Sequence, residues 1–314
     1  MISAAEETEG VGIPRLNIGE WIEAGVDWVN ENLEWLFNLI QTIVSTLTDG
    51  LDDLLNTPDA LVLAVVFSLL AWLVKDWKLA LLSIVMLVFV ISIDQWENAM
   101  TTLALVAVAA AIALAIAIPL GIWAARSDRV SGAVRPVMDL MQTMPAFVWL
   151  VPVVTLFSIG VTGGVIATII FALPPGVRFT ELGIRQVDSE VVEAGHAFGS
   201  TPRQILLRIQ LPLALQTIMA GVNQVIMLSL SMAVIAGLVG AGGLGNEVTR
   251  AIGSLDIGLG FEAGLAVVVL AIYLDRMTAA IGRGGMVSGR ASKLVRRRLD
   301  AHRSATRGRA MGQV

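Results

Sequence analysis

Side chains that could catalyse a reaction or bind a metal are scarce in this sequence. Its 314 residues include no cysteine and only two histidines, His196 and His302. Disulfides and thiolate metal sites are therefore excluded, and a histidine-built metal site is not indicated. The sequence also lacks a G-x-x-x-x-G-K-[ST] pattern, so the chain is not itself a P-loop ATPase. We expect this chain to have no catalytic residue, no metal and no bound cofactor.

One glycine-rich segment resembles a nucleotide motif only in its letters. Gly240-Ala241-Gly242-Gly243-Leu244-Gly245 fits G-x-G-x-x-G, and Glu262 follows at about the distance of a ribose ligand. That pattern indicates dinucleotide binding only between a strand and a helix of a βαβ unit. Here it follows an apolar helical run, so we expect a glycine-rich turn on the outer face, lining the mouth where a substrate is delivered.

The segment 178–212 has the strongest signals for a small, defined structure. Asp188 is expected to cap a short helix, and Gly199 suits the left-handed turn at its end. Thr201, followed by proline and then Gln204, matches a capping box at the start of a second helix. The sequence therefore predicts a helix, a glycine turn and another helix within one loop.

The elements that position this loop are predicted to be membrane helices. Hydrophobic residues make up 56% of the chain and charged residues 15%, whereas about 25% of residues are charged in an average soluble protein. A spanning helix needs about 20 apolar residues. We predict an all-α, polytopic membrane protein with about seven spans, six or eight being alternatives, from residues 60–74, 79–93, 100–125, 140–177 (two spans around Gly160), 215–239 and 259–281.

The distribution of charge predicts how these spans are oriented. The tail 283–314 carries nine Lys and Arg residues, and basic flanks stay in the cytoplasm. With seven spans, the outside then holds 2 of the 21 basic and 17 of the 26 acidic residues. We therefore expect an external N-terminus, a cytoplasmic C-terminus and a cytoplasmic loop 178–212. The formal net charge of −5 gives no indication of nucleic-acid binding.

The N-terminal segment, residues 1–58, is predicted to be acidic and extracytoplasmic. Its first nine residues lack the basic and apolar regions of a cleavable signal peptide. From Trp21 to about Gly50 the apolar residues follow a helical period, which indicates an amphipathic helix. Two interpretations remain open: this helix lies on the outer membrane surface or binds an external partner, or it packs on the protein's own spans.

The loop also resembles a known family. Glu193-Ala194-Gly195, three residues, Gly199, nine residues, Ile209, one residue, and Leu211-Pro212 resemble the EAA loop of ABC importer permeases, with glycine in place of the second alanine. Segments 141–147, 171–175, 180–186, 219–224 and 256–264 are similar to permeases of glycine betaine/proline-type (quaternary amine) importers. The resemblance covers about residues 100–282, which we expect to form an ABC type I importer permease core after two short N-terminal spans in 59–99.

The resemblance implies a site and a set of partners. Glu193, Ala194, Gly195 and Gly199 would contact a separate ATPase subunit, and Ile209, Leu211 and Pro212 would join the loop to the next span. Two permease copies would work with two ATPases, which use ATP and Mg²⁺, and with an extracytoplasmic substrate-binding protein. The permease itself would not be an enzyme, and it would import glycine betaine or a related osmoprotectant across the cytoplasmic membrane.

A substrate path can only be suggested from aromatic residues, because quaternary ammonium groups are attracted to aromatic faces. The candidates on the fourth and fifth predicted spans are Phe147, Trp149, Phe157 and Phe171.

Two other kinds of transporter remain as alternatives. An ABC permease for choline, carnitine or an amino acid would have the same loop. An ion-coupled secondary transporter would place ionisable residues at mid-membrane, whereas Asp139, Glu262 and the pair Asp275–Arg276 lie near the ends of the predicted spans.

Overall fold

The computed structural model describes residues 17–282. Within this part of the chain twelve α-helices follow one another without a strand, which confirms the predicted all-α class. They are α1 (Ile18–Asn56), α2 (Ala60–Val74), α3 (Trp77–Ser92), α4 (Trp96–Arg126), α5 (Asp128–Thr143), α6 (Ala146–Phe157), α7 (Val161–Arg185), α8 (Ser189–Ala197), α9 (Pro202–Ile205), α10 (Leu211–Ala236), α11 (Gly243–Ser254) and α12 (Ile257–Gly282). The predictions for residues 1–16 and for the basic tail 283–314 lie outside the described residues.

Three long helices, α4, α7 and α10, form the centre of the molecule. Small residues on their faces allow the backbones to approach closely. A Cβ added to Gly121 of α4 would lie 2.6 Å from the Cβ of Thr180 in α7, and one added to Gly221 of α10 would lie 2.5 Å from the Cβ of Phe179. Close packing of this kind stabilises helix pairs in a membrane, where lipid is as apolar as the side chains.

Four helical stretches in the described residues are long and apolar enough to cross a membrane alone: α4, α7, the stretch from α9 through α10, and α12. The number rises to six if the bent pairs α1–α2 and α5–α6 each form one span. The difference from the seven predicted spans comes from short helices. α3, for example, has 16 residues and is about 24 Å long, which is less than the hydrocarbon core of about 30 Å.

The segment predicted as the fourth span is a broken helix. α5 and α6 meet at an angle of 101°. The break lies at Pro145, which has no N–H to donate and which forces Met144 into an extended conformation with ψ 133°. The predicted span that starts at residue 140 is therefore interrupted at Pro145. The turn predicted at Gly160 is confirmed, because this residue lies between α6 and α7 with φ +127°.

The predicted N-terminal amphipathic helix is present as α1, and it continues for six residues beyond Gly50. Its second half packs against the core through the buried side chains of Val44 and Leu55. On its first half and centre, three tryptophans spaced by seven residues are exposed: Trp21, Trp28 and Trp35. The two interpretations therefore apply to different parts of α1, because one half packs on the protein's own helices while the other keeps an exposed aromatic face.

Candidate functional site

α8 is a short helix held at both ends by hydrogen bonds that its sequence dictates. At its start, the Asp188 side chain accepts a hydrogen bond of 2.9 Å from the backbone N–H two residues later. At its end, Gly199 has φ +77° and donates to the His196 carbonyl, while Ser200 donates to the Gly195 carbonyl. These two bonds form a Schellman motif, which favours glycine at the left-handed position. The predicted glycine turn is confirmed.

The second helix of the loop begins with the predicted capping box. The Thr201 hydroxyl oxygen accepts from the Gln204 N–H at 3.3 Å, and Gln204 Oε1 accepts from the Thr201 N–H at 2.8 Å. Pro202 occupies the first turn, where its missing N–H costs no hydrogen bond. The helix then widens into a π-helical turn, Leu206–Gln210, before α10. The sequence had predicted a regular helix at this point.

The inner face of the loop is packed against the membrane helices. Gly195 is buried, and a Cβ added to it would lie 2.8 Å from Ile209 Cδ1 and 3.4 Å from Ile205 Cγ1. Leu211 is half-buried and packs on a cluster that includes Ile184 at the end of α7. α8 thus crosses the second helix at a point where only a very small side chain fits, and the loop is joined to both α7 and α10.

The outer face of the loop is exposed. Of the predicted site residues, four are exposed in the single chain: Glu193, Ala194, Gly199 and Pro212. Ile209 and Leu211 are half-buried, and Gly195 lies inside the loop rather than on its surface. Phe198, which was not among the predicted site residues, is 90% exposed. Its position directly before the helix-ending glycine is the signal that marks it, because the chain turns away there and leaves the ring outside.

A buried carboxylate near the end of α7 connects this helix to α5. Glu181 is 7% exposed and accepts a hydrogen bond of 2.7 Å from the Ser131 hydroxyl. Its Oε1 also lies 2.9 Å from Arg185 Nε and 3.4 Å from an Arg135 nitrogen. Arg185 in turn pairs with Asp128 at 2.8 Å. The spacing of Glu181 and Arg185 by one helical turn is a sequence signal for one pair of this network, whereas its contacts with α5 have no local signal.

Next to this network, Arg178 of α7 pairs with Asp139 of α5. These two side chains and the Glu181 network line a cavity of about 370 Å³ between the two helices. The polar contacts therefore continue along the α5–α7 boundary, on the same side of the molecule as the loop.

The four aromatic residues suggested as a substrate path do not form one continuous surface. Phe157 is buried and packs edge-to-face on Phe37 of α1, with ring centroids 5.1 Å apart. Phe171 packs against the same buried cluster, whereas Phe147 is exposed on α6. Trp149 is half-buried, and its Nε1 has no hydrogen-bond partner among the described residues. The structure brings Phe157 and Phe171 together as packing residues of the core.

Two of the ionisable residues near the ends of the predicted spans, Asp139 and Asp275, are engaged with polar neighbours. Asp275 of α12 accepts a hydrogen bond of 3.0 Å from the Asn223 side chain of α10, and the Asn223 oxygen accepts from the Thr278 hydroxyl. Such interhelical hydrogen bonds stabilise pairs of membrane helices. Together with the Arg178–Asp139 pair, this arrangement gives Asp139 and Asp275 structural roles in holding helices together.

At the opposite end of the molecule, the glycine-rich segment forms a tight turn between α10 and α11. Gly240 and Gly242 have φ +74° and +86°. The Leu244 N–H donates to the Thr102 hydroxyl of α4 at 2.8 Å, and a Cβ added to Gly245 would lie 2.7 Å from backbone oxygens of α10. The segment follows a helix rather than a strand, so the expected glycine-rich turn is confirmed in its local structure.

Solved structures show where this architecture recurs. Two inward-facing structures of the MetNI methionine ABC transporter match with TM-scores of 0.53 and 0.55. The matches cover 58% and 60% of this chain and 91% and 94% of those chains, at 22% and 21% identity. The fold is therefore that of an ABC importer permease. In this chain, the capped loop with α8 and α9 joins the long helices α7 and α10.

The chain belongs to the family of binding-protein-dependent transport system inner membrane components, whose model matches residues 117–284. It is thus a multi-pass inner-membrane transport permease, which is not an enzyme, from a family whose members work with ATPase and substrate-binding partners. The permease resemblance noted from the sequence is confirmed.

Relatives are similar over most of the chain. It is 47% identical to the glycine betaine/proline betaine transport system permease protein ProW of Escherichia coli, over 87% of this chain and 77% of that protein. Identity is 43% to the glycine betaine transport system permease protein OpuAB of Bacillus subtilis, over 86% and 95%. It is 46% to the glycine betaine/carnitine transport permease protein GbuB of Listeria monocytogenes, over 86% and 97%.

Proposed function

We propose that this chain is the permease subunit of an ATP-driven importer for glycine betaine and related osmoprotectants such as proline betaine. Support comes from three relatives at 43–47% identity whose names all include glycine betaine. One of these names also includes carnitine, so carnitine is the first alternative substrate, followed by choline and amino acids.

The observation that carries the mechanism is the form of the predicted loop 178–212. Its first eight residues continue α7, and the remainder, residues 186–212, is called the coupling loop from here on. α8 is closed at both ends by hydrogen bonds, yet among its residues only Gly195 is buried. A helix fixed at its ends and exposed along one side is suited to fit a groove in another protein. We assign that groove to the ATPase subunit, with Glu193, Ala194, Phe198 and Gly199 in contact with it.

Movement of α8 reaches the membrane helices by two routes. One passes through the contact of Gly195 with Ile205 and Ile209 and continues directly into α10. The other passes back along α7, where Arg185 and Glu181 hold the helix end to α5. ATP-driven closure of the ATPases would therefore move α7 and α10 as a unit, and this unit alternates access to the two sides of the membrane.

The complete transporter in this proposal has two copies of the permease, two ATPase subunits and an extracytoplasmic binding protein. ATP and Mg²⁺ bind to the ATPases, and the coupling loop and the C-terminus face the cytoplasm. The core is residues 100–282, preceded by the segments 1–58 and 59–99 and followed by the tail 283–314.

Uptake into proteoliposomes tests the function. The permease is reconstituted with its ATPase and binding protein, and radiolabelled glycine betaine uptake is measured with and without ATP. We expect uptake to require ATP and to persist when ionophores collapse the sodium and proton gradients. Proline betaine, carnitine, choline and proline are compared as competitors.

Uptake driven by an ion gradient without ATP would contradict the proposal and favour a secondary transporter. A preference for carnitine, choline or proline over glycine betaine would keep the ATP-driven mechanism and correct the substrate.

A further inference from the structure

A cavity of about 470 Å³ lies at the end of the molecule opposite the coupling loop. The turn between α3 and α4 and the starts of α4 and α12 line it, together with part of α11. The two ends of α4 show that the cavity and the coupling loop are far apart. The start of α4 lines the cavity, whereas Ala124 near its other end accepts a hydrogen bond from Arg185, at the end of α7 next to the loop. The volume lies in the range of small-molecule sites, about 300–1,000 Å³.

The charge of this cavity is mostly negative. Four carboxylates and one guanidinium line it, and Glu247 pairs with Arg250 at 2.8 Å. The other three carboxylates, Asp94, Glu97 and Glu262, form no ion pair within residues 17–282. A cation that enters the cavity therefore meets unneutralised negative charge, which favours its accumulation there.

One aromatic side chain stands beside these carboxylates. Trp96 is half-buried: it packs against the buried core cluster and also lines the cavity. Tryptophan is the best aromatic partner for a quaternary ammonium group, which has no N–H to donate and is held by the ring face and by diffuse negative charge. Here the ring is supplied by Trp96, and the negative charge is supplied by Glu97 and Glu262.

Hydrogen-bond donors line the same cavity. Gln95 is 4% exposed, and its Oε1 accepts from the Asn98 side chain at 3.1 Å. Its Nε2 has no hydrogen bond to any described residue. The Gln95 amide therefore keeps its N–H donors free for a ligand carboxylate in the cavity. The exposed guanidinium of Arg250 is a second donor for the same group.

We propose that this cavity is a reception site on the permease for small zwitterions that carry both a quaternary ammonium group and a carboxylate. Trp96, Glu97 and Glu262 hold the ammonium group, and Gln95 and Arg250 hold the carboxylate. The site receives the solute at the external mouth. The identity of the ligand rests on the proposed function, whereas the position and polarity of the site rest on the structure.

Equilibrium binding tests this inference. The permease–ATPase complex in lipid nanodiscs, without the binding protein, is titrated with radiolabelled glycine betaine. We expect saturable binding, weakened about tenfold by Glu262→Gln and by Trp96→Leu. Arg250→Gln is expected to weaken glycine betaine binding while leaving binding of choline, which lacks the carboxylate, unchanged.

Matched variants outside the cavity serve as controls. Trp77→Leu and Glu34→Gln remove an exposed tryptophan and an exposed carboxylate elsewhere, and they are expected to bind like the unmodified protein. Glu262 is exposed, so its variant tests the site even if Trp96→Leu disturbs packing.

Absence of saturable binding, or equal binding by the Glu262→Gln and unmodified proteins, would overturn the reception site. If ATP-driven uptake by the complete transporter succeeds under those conditions, only this inference fails. If the cavity binds glycine betaine but the complete transporter does not take it up with ATP, the proposed function fails instead.

Discussion

Gly195 shows how one residue determines the geometry of the coupling loop. The resemblance to the EAA loop placed it among the residues that contact the ATPase, but the structure places it on the inner face, against Ile205 and Ile209. An alanine Cβ there would be too close only to the flexible end of Ile209, because its contact with Ile205 at 3.4 Å is an ordinary packing distance. This explains why the family pattern has alanine at this position and why glycine also fits.

The effect of a substitution at Gly195 on uptake should therefore depend on the size of the new side chain. Gly195→Ala is expected to retain uptake, because Ile209 Cδ1 can move aside. Gly195→Val adds branched atoms to a closed contact, and overpacking of this kind costs about 1–3 kcal/mol, so we expect α8 to be displaced and uptake to fall at least about tenfold with normal membrane insertion. Uptake assays on both variants check this. Equal uptake by the two would mean that the close contact does not matter.

Gly199 tests the left-handed turn. Its φ of +77° costs a residue with a side chain about 1–2 kcal/mol, with asparagine better tolerated. Gly199→Arg is expected to insert normally and to hydrolyse ATP without uptake, because strain and bulk meet at the proposed ATPase contact. Gly199→Asn is the matched control and should keep most of the uptake. ATPase activity and uptake are measured on the same proteoliposomes, and coupled transport by Gly199→Arg would refute the assigned contact.

Among the helices, the end of α7 is as important as α8 for connecting the coupling loop to the membrane helices. Glu181 is buried and joins Ser131 and Arg135 of α5 to Arg185 of α7. The structure thus fixes the helix that leads into the coupling loop by a charged network rather than by apolar packing alone. The partners on α5 and α7 are separated by about 50 residues in the chain, so no local sequence pattern predicts these contacts.

Glu181→Gln should weaken this joint. The amide keeps one acceptor for Ser131 but loses the charge that holds two arginines, and loss of a buried charged hydrogen bond costs about 1–3 kcal/mol. We expect a lower thermal unfolding midpoint for the purified permease in detergent. Glu193→Gln, on the exposed face of α8, is the control and should leave the midpoint unchanged. An unchanged midpoint for Glu181→Gln would show that the network contributes little to the stability of the permease.

The elements differ in how well the sequence predicts them. Capping residues act locally, so the start and end of α8 and the start of α9 could be predicted from Asp188, Gly199 and Thr201. The break between α5 and α6 has an equally local cause in Pro145. The π-helical turn before α10 has no local sequence signal of this kind and depends on how the loop packs.

At the scale of the whole molecule, composition and uncharged runs were enough to predict an all-helical membrane protein. They were not enough to count its spans, because α2, α3 and α6 are short and their depth in a membrane depends on their neighbours. The candidate reception site could not be predicted from the sequence either. Trp96, Glu247 and Glu262 come from three separate helices and meet only in the folded chain.

In the proposed mechanism, α8 transmits ATP-driven movement from a partner ATPase to the membrane helices. The natural absence of cysteine allows a direct test with single-cysteine variants. Ala194→Cys lies on the exposed side of α8, and Ser254→Cys lies at the end of α11, on the opposite end of the molecule. Each is treated with a short bifunctional thiol reagent in the presence of an ATPase that carries one cysteine in its surface groove. We predict a cross-link from position 194, changed in yield by ATP, and none from position 254. No cross-link at position 194, or a cross-link at position 254 instead, would contradict the proposed contact between α8 and the ATPase.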